Sequence, residues 1–316
     1  MLFDPKKRET LSPDWRAVIA HVMQIGLIDE IFDADVWTPE DIVFQGGTSI
    51  HVVWGSPRYS EDLDFMVSVD RSRDIERVMA RAVRNIGQRM LLSLPGGQLA
   101  MKSPKADSGA EGEVLAYQVV WSHPSKQGVV KVKTEFFTVA PERIRDYKRE
   151  VRRHSPDLRA VASRPEFSGF DVSDLRVRSM IPAAHPESIY GDKLVAMAKR
   201  QYVKQRDFFD LWWLATQMGG AVDLTDPAQL YEAVRRSAAC YRYSDEEIAE
   251  GMNLFLETPA EAADEIEENL KAFLPPQFHR RLASTGAFQE MYTHAMEEGS
   301  RLLMTIEARY EGGARP

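Results

Sequence analysis

The spacing of apolar residues changes character midway along the chain. A Ser-Pro-Asp start leads into Val18, Ile19, Val22, Met23, Ile25 and Leu27 at helical spacing, which predicts an amphipathic helix over 11–32. Residues 41–44 read as a short strand running into Gly46-Gly47, and 48–54 as a short helix followed by the turn Gly55-Ser-Pro-Arg58. Residues 62–69 alternate, with Leu63, Phe65 and Val67 on one face and Asp62, Asp64 and Met66 on the other, as in a strand. A helix is expected over 75–88. The Gly-, Ser- and Lys-rich stretch 95–113 reads as a loop or hairpin tip, and 114–122 and 129–139 as antiparallel strands joined by a turn around 124–128.

After Pro141 the pattern shifts. Residues 142–153 are strongly basic, and 155–186 are rich in Pro, Ser and Asp with little periodicity. Helical spacing then returns over 188–202, 206–218, 227–239, 244–255, 259–274 and 288–310. The expected class is α+β, with an α/β-like N-terminal half over 1–155 carrying a mixed sheet and a mainly helical C-terminal domain over 156–316.

Composition narrows the biology more than the fold. With 44% hydrophobic and 28% charged residues, the 316-residue chain has an ordinary globular make-up. A net charge of -8 argues against non-specific coating of nucleic acid, although a local basic groove remains compatible with it. A single cysteine, Cys240, excludes an intrachain disulfide framework and suits a reducing compartment. The N-terminus lacks an apolar run behind its basic residues, and no stretch approaches the ~20 apolar residues of a membrane span. A cytoplasmic protein without a membrane partner is expected.

Candidate chemistry concentrates between Phe44 and Phe65. Gly46-Gly47 at the end of a strand lets backbone approach an anion closely, and the helix opened by Thr48-Ser49 aims N–H groups and hydroxyls at it. Asp62 and Asp64, two apart on a strand, project their carboxylates from one face and suit hard, octahedral Mg²⁺. A metal there can polarise an α-phosphate, activate a hydroxyl and neutralise leaving pyrophosphate. Each part alone is weak, because Gly-Gly is usually a turn and Asp-x-Asp often a solvated rim. The Gly pair sixteen residues ahead of Asp62, in helix–strand–helix–strand order, is far more specific.

This segment resembles the DNA-polymerase-β-like nucleotidyltransferase superfamily. Gly46-Gly47-Thr48, Arg58, Ser60 and Asp62-Leu63-Asp64-Phe65 are similar more closely to the AbiEii/AbiGii toxin family, which includes MenT-like toxins. A second block, Gly191-Asp-Lys-Leu to Arg206-Asp-Phe-Phe-Asp210-Leu, is similar to that family's D-K-L and R-D-x-x-D-L stretch. The resemblance implies a nucleotidyltransferase fold whose helical domain completes the active-site cleft. It implies Gly46, Gly47, Thr48, Ser49, Arg58 and Ser60 as nucleotide-binding residues, and Asp62 and Asp64 as metal ligands. Glu135 becomes the candidate third ligand, against a plain Lys/Glu ladder with Lys131 and Lys133. Lys193 would bind phosphate and Asp210 would orient groups or act as a base. The family further implies Mg²⁺, with Mn²⁺ as substitute, an NTP donor (a pyrimidine nucleotide) and the 3′ end of tRNA as acceptor. A cognate antitoxin and a bacterial or phage-defence setting follow from the same likeness.

Other features have plainer readings beside the functional ones. Arg143, Arg145, Lys148, Arg149, Arg152 and Arg153 form either a solvated helix face or a nucleic-acid contact. For Arg206 and Asp207 helix capping with a surface ion pair competes with a site role. Phe208, Phe209, Trp212 and Trp213 read as helical core, and the histidines show no zinc-ligand spacing. The acidic stretch 245–268 is either solvated or turned to a basic partner. Transfer to a protein or a small molecule, and a silent nucleotide- or partner-binding module, are the competing functions.

Overall fold

The computed structural model describes residues 8–104, 109–152, 179–202, 204–217, 224–258 and 262–311. The chain forms two units. One comprises Met1–Gly55, Glu61–Ile144 and Glu150–Ala183, the other Ser56–Ser60, Arg145–Arg149 and Ala184–Pro316. The boundary expected near 155 falls outside the described residues.

The first unit is built on a seven-stranded mixed sheet. Its strands are β2 (Ile42–Gln45), β3 (Leu63–Ser68), β4 (Gln98–Lys102), β5 (Val114–Ser122), β7 (Val130–Val139), β8 (Arg149–Arg152) and β9 (Ile181–Ala184). They lie in the order β4-β5-β7-β3-β2-β9-β8, while β1 (Glu9–Thr10) pairs separately with β6 (Lys126–Gln127). β3 runs parallel to β7 and antiparallel to β2. Alternation gives the sheet two different faces. Leu115, Tyr117, Val119 and Trp121 of β5 and Val130, Val132, Thr134 and Phe136 of β7 are buried, while Lys131 and Lys133 are exposed. Phe65 stacks between Phe44 and Phe136 with ring centroids 5.1 and 5.0 Å away.

Helix α1 (Pro13–Phe32) and helix α3 (Ile75–Ser93) contact each other, and they touch β7 and β4 respectively. The Ser12 Oγ caps α1 by accepting from the Trp15 N–H, and Pro13 occupies its first turn. Ile19, Met23, Leu27, Ile28 and Ile31 are fully buried, so this helix is more enclosed than its amphipathic reading suggested. α3 is the amphipathic one, burying Ile75, Val78, Met79, Ala82 and Ile86 and exposing Arg77 and Arg84.

Two sequence expectations need correction here. Residues 98–102 form an edge strand, β4, inside the stretch read as a loop. Its Gln-Leu-Ala-Met-Lys lacks β-branched residues, and only Leu99 and Met101 are half-buried. The basic run is not one helix face either, because it divides between α4 (Pro141–Asp146) and β8. Arg143 pairs with Glu111 at 2.8 Å and Arg152 lies 4.1 Å over the Trp54 ring, while Arg153 is outside the described residues.

The second unit is helical. It comprises α5 (Pro186–Lys199), α6 (Gln205–Gln217), α7 (Pro227–Tyr241), α8 (Asp245–Leu256), α9 (Ala262–Leu270), α10 (Pro276–Thr285) and α11 (Ala287–Glu311). α5 crosses α7 at Gly191, where a Cβ would stand 2.6 Å from the Ala233 carbonyl oxygen. α8 begins with a full capping box of Ser244 and Glu247. On α6, Phe208, Phe209, Trp212 and Trp213 are core, as their spacing indicated. The sequence reading missed α10, a polar helix whose single buried residue is Leu282. Asp192 and Lys193 sit in the middle of α5, which Pro186 starts.

Candidate active site

Strand β2 passes directly into α2 (Gly46–Val52) through Gly46, whose φ is +75°. The antiparallel register places Gln45 opposite Asp64, so a Cβ at Gly46 would collide with the Asp64 carboxylate. Backbone conformation and proximity thus both require glycine at this position. Gln45 makes no side-chain capping bond to α2, so the first-turn N–H groups have no cap from that residue. Ser49 Oγ is buried without a hydrogen-bond partner among the described residues. The Thr48 hydroxyl donates to the Asp62 carbonyl, and Gln24 Nε2 of α1 donates to the Glu61 carbonyl at 3.0 Å. The backbone entering β3 is therefore tied to two helices.

Asp62 and Asp64 are half-buried on either side of the fully buried Leu63. Parallel pairing sets Glu135 of β7 beside Asp64, with Lys133 Nζ 2.8 Å from Glu135 Oε1. The hydrogen bond to Glu135, with the fields of Glu135, Asp62 and Asp64, holds the Lys133 ammonium above the usual lysine pKa although partial burial opposes it. Among the described residues no three His, Cys, Asp or Glu side chains converge on one ion position. The donors present are nonetheless carboxylate oxygens on adjacent strands in register, a set whose chemistry fits Mg²⁺ or Mn²⁺. A cavity of about 600 Å³ is lined by Lys102, Ala116, Gln118 and Lys133, the last being the partner of Glu135.

The second unit holds a cluster of five charges. Arg58 Nε and Nη2 donate to the two oxygens of Asp210 at 2.7 and 2.8 Å, and Lys193 Nζ lies 2.7 Å from both Asp210 Oδ2 and Asp207 Oδ1. Arg200 completes the group on Asp207. Burial works against the Lys193 charge, but Asp207 and Asp210 outweigh it and hold its pKa above the usual value. Burial likewise opposes the Asp207 carboxylate, and Lys193 and Arg200 hold its pKa down. Asp207 is thus no surface cap, being 2% exposed, and Arg206 stacks instead on the Phe273 ring at 4.5 Å.

The residues singled out from the sequence fall into these two groups. Gly46, Gly47, Thr48, Ser49, Asp62, Asp64 and Glu135 belong to the first unit, and Arg58, Ser60, Lys193 and Asp210 to the second. Sequence reasoning missed Gln24. Its only signal was a polar residue in a helix that is otherwise almost wholly apolar at that level. It also did not anticipate the burial of two polar groups, His21 and Asp192. His21 is held at a pKa of about 3 by burial and by neighbouring His51 on α2. Asp192 accepts from Tyr147 and Ser237, and burial pushes its pKa up to about 6 against those two bonds and Lys193.

Residues 32–297 match the family model described as "Nucleotidyl transferase AbiEii toxin, Type IV TA system". No curated protein matches the chain significantly. Among solved structures, JHP933 from Helicobacter pylori is 17% identical, with 96% of this chain and 97% of that one covered and a TM-score of 0.47. The nucleotidyltransferase toxin MenT4 from Mycobacterium tuberculosis H37Rv is 15% identical, with 93% and 95% covered and a TM-score of 0.49.

Proposed function

The chain belongs to the AbiEii nucleotidyltransferase toxin family, and from that premise we propose that it moves a nucleoside monophosphate from an NTP to the 3′ end of tRNA, with Mg²⁺ as cofactor. The family makes it a nucleotidyltransferase of a toxin–antitoxin system, acting on an NTP and paired with an antitoxin. None of its described helices is long and apolar enough to cross a membrane. The preference for a pyrimidine NTP, the cytoplasmic location and the phage-defence setting are part of the proposal.

The observation that carries the reading is the fit of Gly46 against Asp64. Anion cradle and carboxylate are shaped around each other, as a site taking phosphate and metal together requires. In the proposed reaction an acceptor hydroxyl oxygen bonds to the α-phosphorus and gives its proton to solvent, the bond from that phosphorus to the α–β bridging oxygen breaks, and pyrophosphate leaves. The first-turn N–H groups at Gly46, Gly47 and Thr48 and the Ser49 hydroxyl hold phosphate oxygens, with Ser60 as a further contact. Asp62 and Asp64, with Glu135, would hold a divalent cation, which when bound supplies charge neutralisation at the α-phosphate and at the acceptor oxygen. Lys193, an ammonium held by Asp207 and Asp210, offsets triphosphate charge in this reading. Positioning and electrostatics carry the rate, with no covalent intermediate on the protein.

The test is incubation with each of four α-labelled NTPs and either total tRNA or total protein, comparing wild type with Asp62→Ala. Label in tRNA from one pyrimidine NTP, absent with the variant, is expected. Label confined to protein or to a small molecule would replace the tRNA acceptor. Equal labelling by Asp62→Ala would overturn the assignment of Asp62, and no labelling by wild type would favour a binding module.

A further inference from the structure

Arg58 and Asp210 are 152 positions apart and meet as a two-bond fork, their side chains 3% and 0% exposed. Both Asp210 oxygens accept from Arg58, and Oδ2 also faces Lys193 at 2.7 Å. Arg58 in turn places a third N–H on the Tyr59 carbonyl at 3.0 Å. An acid–base group needs a lone pair within reach of the proton it takes, and a phosphate contact needs guanidinium N–H groups turned to the ligand. With side chains 3% and 0% exposed and engaged with each other, the two groups are enclosed rather than presented to a ligand.

The fork fixes a particular piece of chain. Residues 56–60 join the anion cradle of α2 to the strand bearing Asp62 and Asp64. Within this loop the Arg58 N–H donates to Ser56 Oγ at 3.3 Å and the Tyr59 N–H to the Phe273 carbonyl at 2.8 Å. Gly55, with φ at +80°, opens it. Arg58 is four residues ahead of Asp62, on the connection that leads into β3.

We infer that Arg58 and Asp210 are a positioning pair: they clasp the 56–60 loop and so place Asp62 and Asp64, while neither touches the triphosphate nor moves a proton. The inference rests on the nucleotidyl-transfer reading for its kinetic arm only. Its second arm reads metal affinity.

The experiment compares Arg58→Gln, Asp210→Asn and the double variant with wild type. It measures kcat and KM for NTP, the pH profile of kcat, Mn²⁺ affinity by electron paramagnetic resonance, and thermal melting. Displacement of the carboxylates by around 1 Å should lower kcat on the order of 10²-fold in each single variant. The double variant should be no worse than the poorer single one. Both single variants should weaken Mn²⁺ binding to a similar extent although neither residue is a ligand, and surviving activity should keep the wild-type pH profile. The pair is overturned if Asp210→Asn removes a limb of that profile while Arg58→Gln stays within threefold of wild type. It is also overturned if Arg58→Gln raises KM with kcat unchanged, or if both variants bind Mn²⁺ as wild type does. Should a single variant fail to fold, the double variant, which leaves neither member of the pair charged, supplies the same profile and Mn²⁺ readouts. A wild type that binds Mn²⁺ but transfers no nucleotide would sink the transfer reading, and the Mn²⁺ arm would still decide the clasp.

Discussion

Replacing Gly46 with alanine probes the joint between cradle and carboxylate. At φ +75° an alanine carries the left-handed penalty of about 1–2 kcal/mol. The new Cβ would stand 3.1 Å from both Cβ and Cγ of Asp64, and closer still to its carboxylate oxygen. Carbon pairs prefer roughly 3.5–4.0 Å, so Asp64 must withdraw by about 0.5 Å or more. That is the limit within which a catalytic group tolerates displacement, and about 1 Å costs ~10²-fold. Gly46→Ala should therefore lose roughly 10- to 100-fold in kcat, about 1.4–2.7 kcal/mol of barrier. The assay is transfer of labelled nucleotide, run beside thermal denaturation and Mn²⁺ binding in wild-type and Asp64→Gly backgrounds. Without the Asp64 side chain the alanine should destabilise by the left-handed penalty alone. The reasoning is refuted if Gly46→Ala keeps wild-type kcat, or if its stability cost is the same in both backgrounds.

Three further outcomes follow from the packing and the charges. Gly191→Ala should destabilise by about 1–2 kcal/mol in chemical denaturation, since overpacking against Ala233 outweighs a helix-propensity gain near 1 kcal/mol; a more stable variant would refute the close crossing of α5 and α7. Glu135→Gln should weaken Mn²⁺ binding roughly 10- to 100-fold, and unchanged affinity would return Glu135 to a mere partner of Lys133. Asp192, with a folded pKa near 6 against 3.8 unfolded, favours folding fully below the unfolded value and loses that advantage as pH rises through 6. Relative to wild type, Asp192→Asn should gain stability progressively from pH 4 to 7, on the order of 3 kcal/mol; a pH-independent difference in melting would count against the buried carboxyl.

The sheet and most helices were legible because their periodicity is local. β7 alternates Val130, Val132 and Thr134 against Lys131, Lys133 and Glu135, and that pattern alone states which face is covered. β4 and α10 were not legible, because each has little apolar content and is defined by a neighbour: β5 for the strand, α11 for the helix. The site shows the same division. Gly46, Asp62 and Asp64 could be read as a motif, but the reason for the glycine is a cross-strand approach that spacing does not display. Arg58 read as a nucleotide contact because its surroundings in sequence are the cradle and the carboxylates. Its fork with Asp210 depends on a partner 152 positions away, and nothing in the pattern announces it.

That distant pairing bears on which cation meets the triphosphate. The cluster in the second unit sets Arg58, Lys193 and Arg200 against Asp207 and Asp210, and the Asp192 carboxyl also feels the field of Lys193. Arg58 is closed by its fork, and Arg200 is a third exposed, where solvent already screens it. Lys193 is 12% exposed, and its two carboxylate contacts leave one of its three donors to direct elsewhere. On the proposed reading the lysine is therefore the member with both the charge and the geometry to accept phosphate. Burial works against that charge, and the two aspartates keep the lysine's pKa raised in spite of it.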